Sequence, residues 1–257
     1  MLNYFLKPIA RWSTVGFFAL LGLQASTAMA APTTFFGENL NPGGLVVGDP
    51  VTARNSFLSN LPSGVGTEDF ESFNNGDTQP LNLVFPGSTG NITATLTGQG
   101  IVDGPNPNCC GRFNTSSSGN PGLWWEVSGV FNLAFSDPIA AFGFFATDIG
   151  DFNGQVTMDL TRSSDNGVTH LVIPNTLNGP NASLLFFGFI DAGETYTNIA
   201  FGNTNAGVDF FGFDDMTIGD LRQVQQGGGS VPEPGTLAIL GLGIAGLAAM
   251  RRRRKAV

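Results

Sequence analysis

The chain has 257 residues, 42% hydrophobic and only 12% charged, with eleven basic residues against twenty acids and a formal net charge of −9. Four of those basic residues (Arg54, Arg112, Arg162 and Arg222) and nineteen of the acids lie between Ala31 and Ser230, so that stretch carries a formal −15 and no lysine. Such a surface repels phosphate backbones, which argues against nucleic acid as a partner and makes divalent cations, calcium above all, the ions it would attract. For most of these acids the plain alternative is a solvated surface.

At the N-terminus, Lys7 and Arg11 precede a largely apolar run from Trp12 to Leu23 and then Ala28-Met29-Ala30. That is the charged, hydrophobic and small-residue order of a secretory signal peptide over residues 1–30, with Ala31 as the mature start. The run is short and ends in a small-residue site, so cleavage is favoured over a retained anchor. Residues 31–66 read as an N-terminal extension. Within it Asp49-Pro50 sets an N-cap before a proline at the first helical position, and Ala53, Phe57, Leu58 and Leu61 follow at helical spacing until Pro62. The pattern predicts an amphipathic helix over residues 49–60 that caps one end of a sheet structure.

From Thr67 the chain reads as short strands between Gly, Pro and Asn turns, over a domain of residues 67–222. The expected strands are Asp69–Phe73, Leu81–Phe85, Ile92–Thr97, Trp124–Phe135, Ile139–Thr147, Gln155–Thr161, Thr169–Ile173, Leu184–Ile190, Asn198–Gly202 and Val208–Ile218. Phe131, Leu133 and Phe135 fall on one face at period two, as do Phe142 and Phe144. Strands without intervening helices predict an all-β fold, an antiparallel β-sandwich of jelly-roll type, with a closed barrel as the alternative.

Two distant stretches hold the main site candidates: Glu68-Asp69-Phe70-Glu71, and Phe213-Asp214-Asp215-Met216 near the end of the domain. On a regular strand Asp214 shares a face with Met216 and Ile218, and a buried carboxylate needs a cation or a dense set of donors. The two stretches resemble the first and last strands of carbohydrate-binding jelly-roll modules. That resemblance implies a structural calcium ion with Glu71 and Asp214 as side-chain ligands and Asp215 or Asp69 as substitutes; the alternative for Asp214 is a turn cap or an arginine partner. Asp148 to Gly154 is a second acidic cluster, read as a hairpin turn. Cys109 and Cys110 are adjacent, and in an oxidising compartment a vicinal disulfide is preferred over free thiols. Trp124 and Trp125 could stack on sugars. Adjacent strand residues point to opposite faces, however, so at least one belongs to a core. His170 has no nucleophile motif around it, and the glycine pattern from Gly241 to Gly246 lies in an apolar tail, not in a nucleotide site.

The C-terminus is the most specific stretch. After a Gly/Gln-rich linker over residues 223–230 come Val231-Pro232-Glu233-Pro234, an uncharged apolar run over 236–250 read as a transmembrane helix, and Arg251-Arg252-Arg253-Arg254-Lys255. A basic cluster after an apolar run stays on the cytoplasmic side. The whole of 231–255 resembles the PEP-CTERM sorting signal of Gram-negative bacteria. The resemblance implies export through the inner membrane, transient anchoring on its periplasmic side, recognition and cleavage by an exosortase, and delivery to the cell surface or matrix. The expected function is therefore non-enzymatic, with exopolysaccharide as the expected ligand. A hydrolase acting on matrix polymers and a purely structural surface component are the alternatives.

Overall fold

The computed structural model describes residues 31–225, apart from 62–63, 106–110, 117–121, 150 and 206–208. The signal peptide, Cys109 and Cys110, and the sorting tail lie outside the described residues. Among those described, no helix is long and apolar enough to cross a membrane.

The described chain forms two antiparallel sheets. Sheet A has the order β1 (Thr33–Asn39), β11 (Leu184–Ile190), β8 (Ala141–Thr147), β13 (Phe211–Gly219), β6 (Trp124–Val127) and β5 (Ile101–Asp103), with β2 (Thr67–Glu68) also on β13. Sheet B has the order β10 (Val168–Val172), β9 (Val156–Arg162), β12 (Tyr196–Asn203), β7 (Phe131–Ile139), β4 (Gly90–Gly98) and β3 (Leu81–Gly87). Their facing sides enclose one core rich in phenylalanine, in which Phe131 stacks on Phe201 at a ring separation of 4.2 Å. Phe142 and Phe144 lie in this core, as period two predicts, and so do Phe131 and Leu133.

Several boundaries differ from the sequence reading. Trp124–Phe135 is two strands in opposite sheets, because the chain turns out of sheet A at Ser128-Gly129 before entering sheet B at Phe131. The Asp148–Gly154 stretch is likewise no hairpin turn, since β8 and β9 belong to different sheets. The N-terminal extension contributes β1 to sheet A, and residues 223–225 belong to a short helix, α2 (Leu221–Gln225), which takes them out of the linker. That helix is docked: Gln223 is 2% exposed and donates through Nε2 to the carbonyls of Gly64 and Pro86.

The expected helix is present as α1 (Asp49–Ser59), with Gly48 rather than Asp49 at the cap and Pro50 in its first turn. It does not cap an end of the sandwich. It lies across the outer face of sheet A, against β1, β11 and β8. Gly143 and Gly188 face each other across β8 and β11. A Cβ on either glycine would sit 2.9 Å from the Phe57 ring, so the pair leaves the slot that this side chain fills. Ala53, Phe57 and Leu61 join Phe145, Phe186 and Leu184 in a second apolar cluster outside sheet A. Among the described residues the sandwich is therefore asymmetric: β8 and β13 are buried along their whole length, whereas the outer side of sheet B is uncovered.

Candidate functional site

The two acidic stretches meet. Strand β2 pairs with β13 at Met216 and Thr217, which sets the residues after it beside Asp214 and Asp215. Asp69–Phe73 is a turn and not a strand: Phe70 has a left-handed φ of 58°, and the Glu71 N–H donates to Asp69 Oδ1 at 3.2 Å. Strand β13 is also irregular. Asp215 has φ 49° and the register on β8 slips between Asp214 and Thr217. Phe211 and Phe213 before the slip and Met216 and Ile218 after it all face the inter-sheet core. Asp214 therefore does not share a face with Met216; the extra residue of the bulge turns it toward the segment carrying Thr115.

Asp214 is 1% exposed, and protein donors meet it there. Its Oδ2 accepts from the Thr115 N–H at 2.7 Å and the Thr115 hydroxyl at 3.0 Å, and its Oδ1 accepts from the Asp215 N–H at 2.7 Å. The same hydroxyl reaches Asp215 Oδ2 at 3.3 Å. Glu71 is clamped likewise. Its Oε1 accepts from the Leu123 N–H at 3.0 Å and from Asn114 Nδ2, and its Oε2 from the Gly122 N–H at 3.0 Å. Asp69 Oδ2 accepts from the Ser116 hydroxyl at 3.2 Å. Burial and the charge of Asp215 hold the Asp214 carboxyl well above its ordinary range, against the pull of Thr115. Burial also raises Asp215, with Arg54 opposing.

The carboxylate oxygens of Asp214 and Glu71 are engaged by protein donors, whereas a calcium site needs six to eight converging oxygens. Among the described residues no three potential ligands are arranged to hold a metal ion. Of the two ways to bury Asp214, the arrangement present is the dense donor set.

Trp124 and Trp125 are not a sugar platform. They are 3% and 0% exposed, on opposite faces of β6, and both indole N–H groups are buried without a hydrogen-bond partner among the described residues. Trp125 packs into the inter-sheet core. Trp124 lies on the other face beside Gly212, where a Cβ would come within 3.2 Å of its ring. The most exposed Phe, Trp or Tyr among the described residues is Phe210, at 44%. His170 pairs through Nδ1 with Asp159 Oδ1 at 2.6 Å, both side chains being more than half exposed.

The outer side of sheet B is an extended open face among the described residues. One row of partners crosses all six strands: Asn82, Thr95, Ala134, Asn198, Thr161 and Val168. A second row holds Thr97, Asn132, Ala200, Asp159 and His170. One residue away along each strand, Leu81, Leu96, Leu133, Ile199 and Leu160 form the matching inner row in the core. At the usual strand spacing the outer row is about 24 Å long. Its residues are hydroxyl, amide and small apolar groups, and the sole formal charge in the two rows is Asp159, which His170 engages. The signal was legible in sequence as the alternation Asn91, Thr93, Thr95, Thr97 against Ile92, Ala94, Leu96.

No curated protein matches the chain. Among solved structures, a variant of a family 29 carbohydrate-binding module is 14% identical, covering 55% of this chain and 99% of that one with a TM-score of 0.29. The K2 cleaved adhesin domain of Lys-gingipain is 13% identical, covering 61% and 98% with a TM-score of 0.30. The family 11 carbohydrate-binding module of a Clostridium thermocellum cellulosomal cellulase is 12% identical, covering 62% and 96% with a TM-score of 0.26. Scores this low assign neither a fold nor a ligand. Residues 230–254 match the PEP-CTERM protein-sorting motif. The chain thus carries the mark of an exported protein whose C-terminal signal is processed by an exosortase at the membrane.

Proposed function

We propose that the chain is a non-enzymatic surface or matrix protein that binds extended, uncharged exopolysaccharide across the outer face of sheet B. The observation that carries this reading is the asymmetry of the sandwich: α1 and the segment around Thr115 cover sheet A, and no described residues cover the outer side of sheet B. A sheet face that merely meets water usually carries lysines and glutamates. Here the two central rows offer Thr, Asn and Ala, whose short or β-branched side chains lose little freedom when a ligand is laid on them. Hydroxyl and amide groups match the hydroxyls of a glycan. The formal −15 of residues 31–230 disfavours an anionic polymer.

The test is affinity electrophoresis of the full chain, held in a mild non-ionic detergent, through gels containing neutral polysaccharides. Retention that is lost in Ala134→Arg, placed at the middle of the outer row, supports the reading. Absence of retention on every neutral polymer, or retention unaffected by Ala134→Arg, removes it.

A further inference from the structure

With both tryptophans buried, Phe210 is the most exposed Phe, Trp or Tyr ring among the described residues, and it is held in place. The Arg112 guanidinium lies over the ring at 5.6 Å from its centroid, and Arg112 Nη1 donates to the Phe210 carbonyl at 3.3 Å. Arg112 is itself fixed, 9% exposed, with Nε donating to Glu126 Oε2 at 2.6 Å. An exposed side chain normally pays rotamer entropy on binding; this one is braced from behind by a buried cation.

Phe210 lines a crevice of about 180 Å³ with Gly100, Ile101, Glu126, Val127 and Ser128. That is below the roughly 300–1,000 Å³ of pockets for drug-sized ligands, so it admits one small ring and not an oligomer. Its lining is mainly apolar: Ile101 and Phe210 present exposed apolar surface, Ser128 is the polar residue beside them, and the Glu126 carboxylate is buried and holds Arg112. A pyranose has a C–H face to lie on an aromatic ring and a rim of hydroxyls that stays toward Ser128 and solvent. The crevice sits where β6 ends at Val127 in sheet A and β7 begins at Phe131 in sheet B, near the Thr97–Asn132 end of the second row.

We propose that Phe210, backed by Arg112, is a stacking platform for one neutral pyranose ring, a subsite separate from the face of sheet B. The choice of a sugar as ligand rests on the glycan-binding reading above. Saturation-transfer NMR on the full chain in mild detergent, with glucose, mannose, galactose and N-acetylglucosamine in turn, tests it. The expected result is transfer to the ring protons of at least one sugar, an affinity about three- to tenfold lower in Phe210→Ala, and recovery in Phe210→Tyr. Phe210 is exposed, so an unchanged melting temperature serves as the folding control. No transfer to any of the four sugars, or equal affinity in Phe210→Ala, overturns the subsite. Polysaccharide retention without monosaccharide transfer removes the subsite and keeps the sheet reading. Transfer that depends on Phe210, with retention indifferent to Ala134→Arg, removes the sheet reading and keeps the subsite.

Discussion

Thr115→Val removes one hydroxyl and keeps the shape of the side chain. In the folded protein that hydroxyl donates to Asp214 Oδ2 at 3.0 Å and reaches Asp215 Oδ2 at 3.3 Å, inside a site where Thr115 is 5% exposed. The backbone N–H of Thr115 remains, so Asp214 keeps part of its support and the loss is that of one buried donor, about 1–3 kcal/mol. For a domain of this size that lowers the melting temperature by roughly 2–12 °C. A hydrogen bond to an ionised carboxylate is about twice as strong as a neutral one. The difference between parent and variant, read by circular dichroism melts, should therefore be larger at pH 8 than at pH 4. A Thr115→Val protein as stable as the parent, or a deficit that grows toward acid, would refute the donor-clamp account of this cluster.

Three further outcomes follow from the same geometry. Glu68, Glu126, Asp148, Asp214 and Asp215 all have carboxyls raised chiefly by burial, and Asp209 is pushed up to about 7 by burial and the neighbouring Asp151 carboxyl. Groups that hold protons more tightly when folded add stability below their unfolded values near 4 and lose it as pH rises through the folded ones. The melting temperature should thus fall between pH 4 and pH 7.5, and Asp209→Asn should flatten the upper part; a rise across that window contradicts the assignment. Chelation by EGTA should leave the melting temperature unchanged, and a calcium-induced rise that Glu71→Gln abolishes would restore the ion in place of the donors. Phe57→Ala empties the slot formed by Gly143 and Gly188 and should cost about 3–5 kcal/mol in chemical denaturation, with a loss below about 1 kcal/mol showing that α1 is not a fixed cover of sheet A.

Much of this architecture was legible in the sequence, for identifiable reasons. Asp49-Pro50 with Ala53, Phe57 and Leu61 marked α1 because capping and periodicity act within a dozen residues. What the helix covers was not legible, since the Gly143–Gly188 slot exists only once β8 and β11 pair. That the Glu68–Glu71 stretch lies beside β13 follows from the pairing of β2 with Met216 and Thr217, whereas the bulge at Asp215 has no sequence signal. A one-residue slip leaves no trace in an alternation pattern, and it moved Asp214 to the other side of the strand. For Trp124 and Trp125, alternation correctly placed the rings on opposite faces. It could not show that both faces of β6 are covered, which depends on chain far away in sequence. Strand β1 escaped because Thr33–Asn39 has no alternation, and Gly37 is there for the close approach of Asp49, whose carbonyl a Cβ would meet at 2.3 Å.

The central claim is that the bare face of sheet B is the ligand surface. Retention of the full chain by neutral polysaccharide gels, compared between the parent and Ala134→Arg at matched folding stability, tests it most directly. The account predicts retention in the parent and free migration in the variant; equal migration of the two, retained or not, contradicts it.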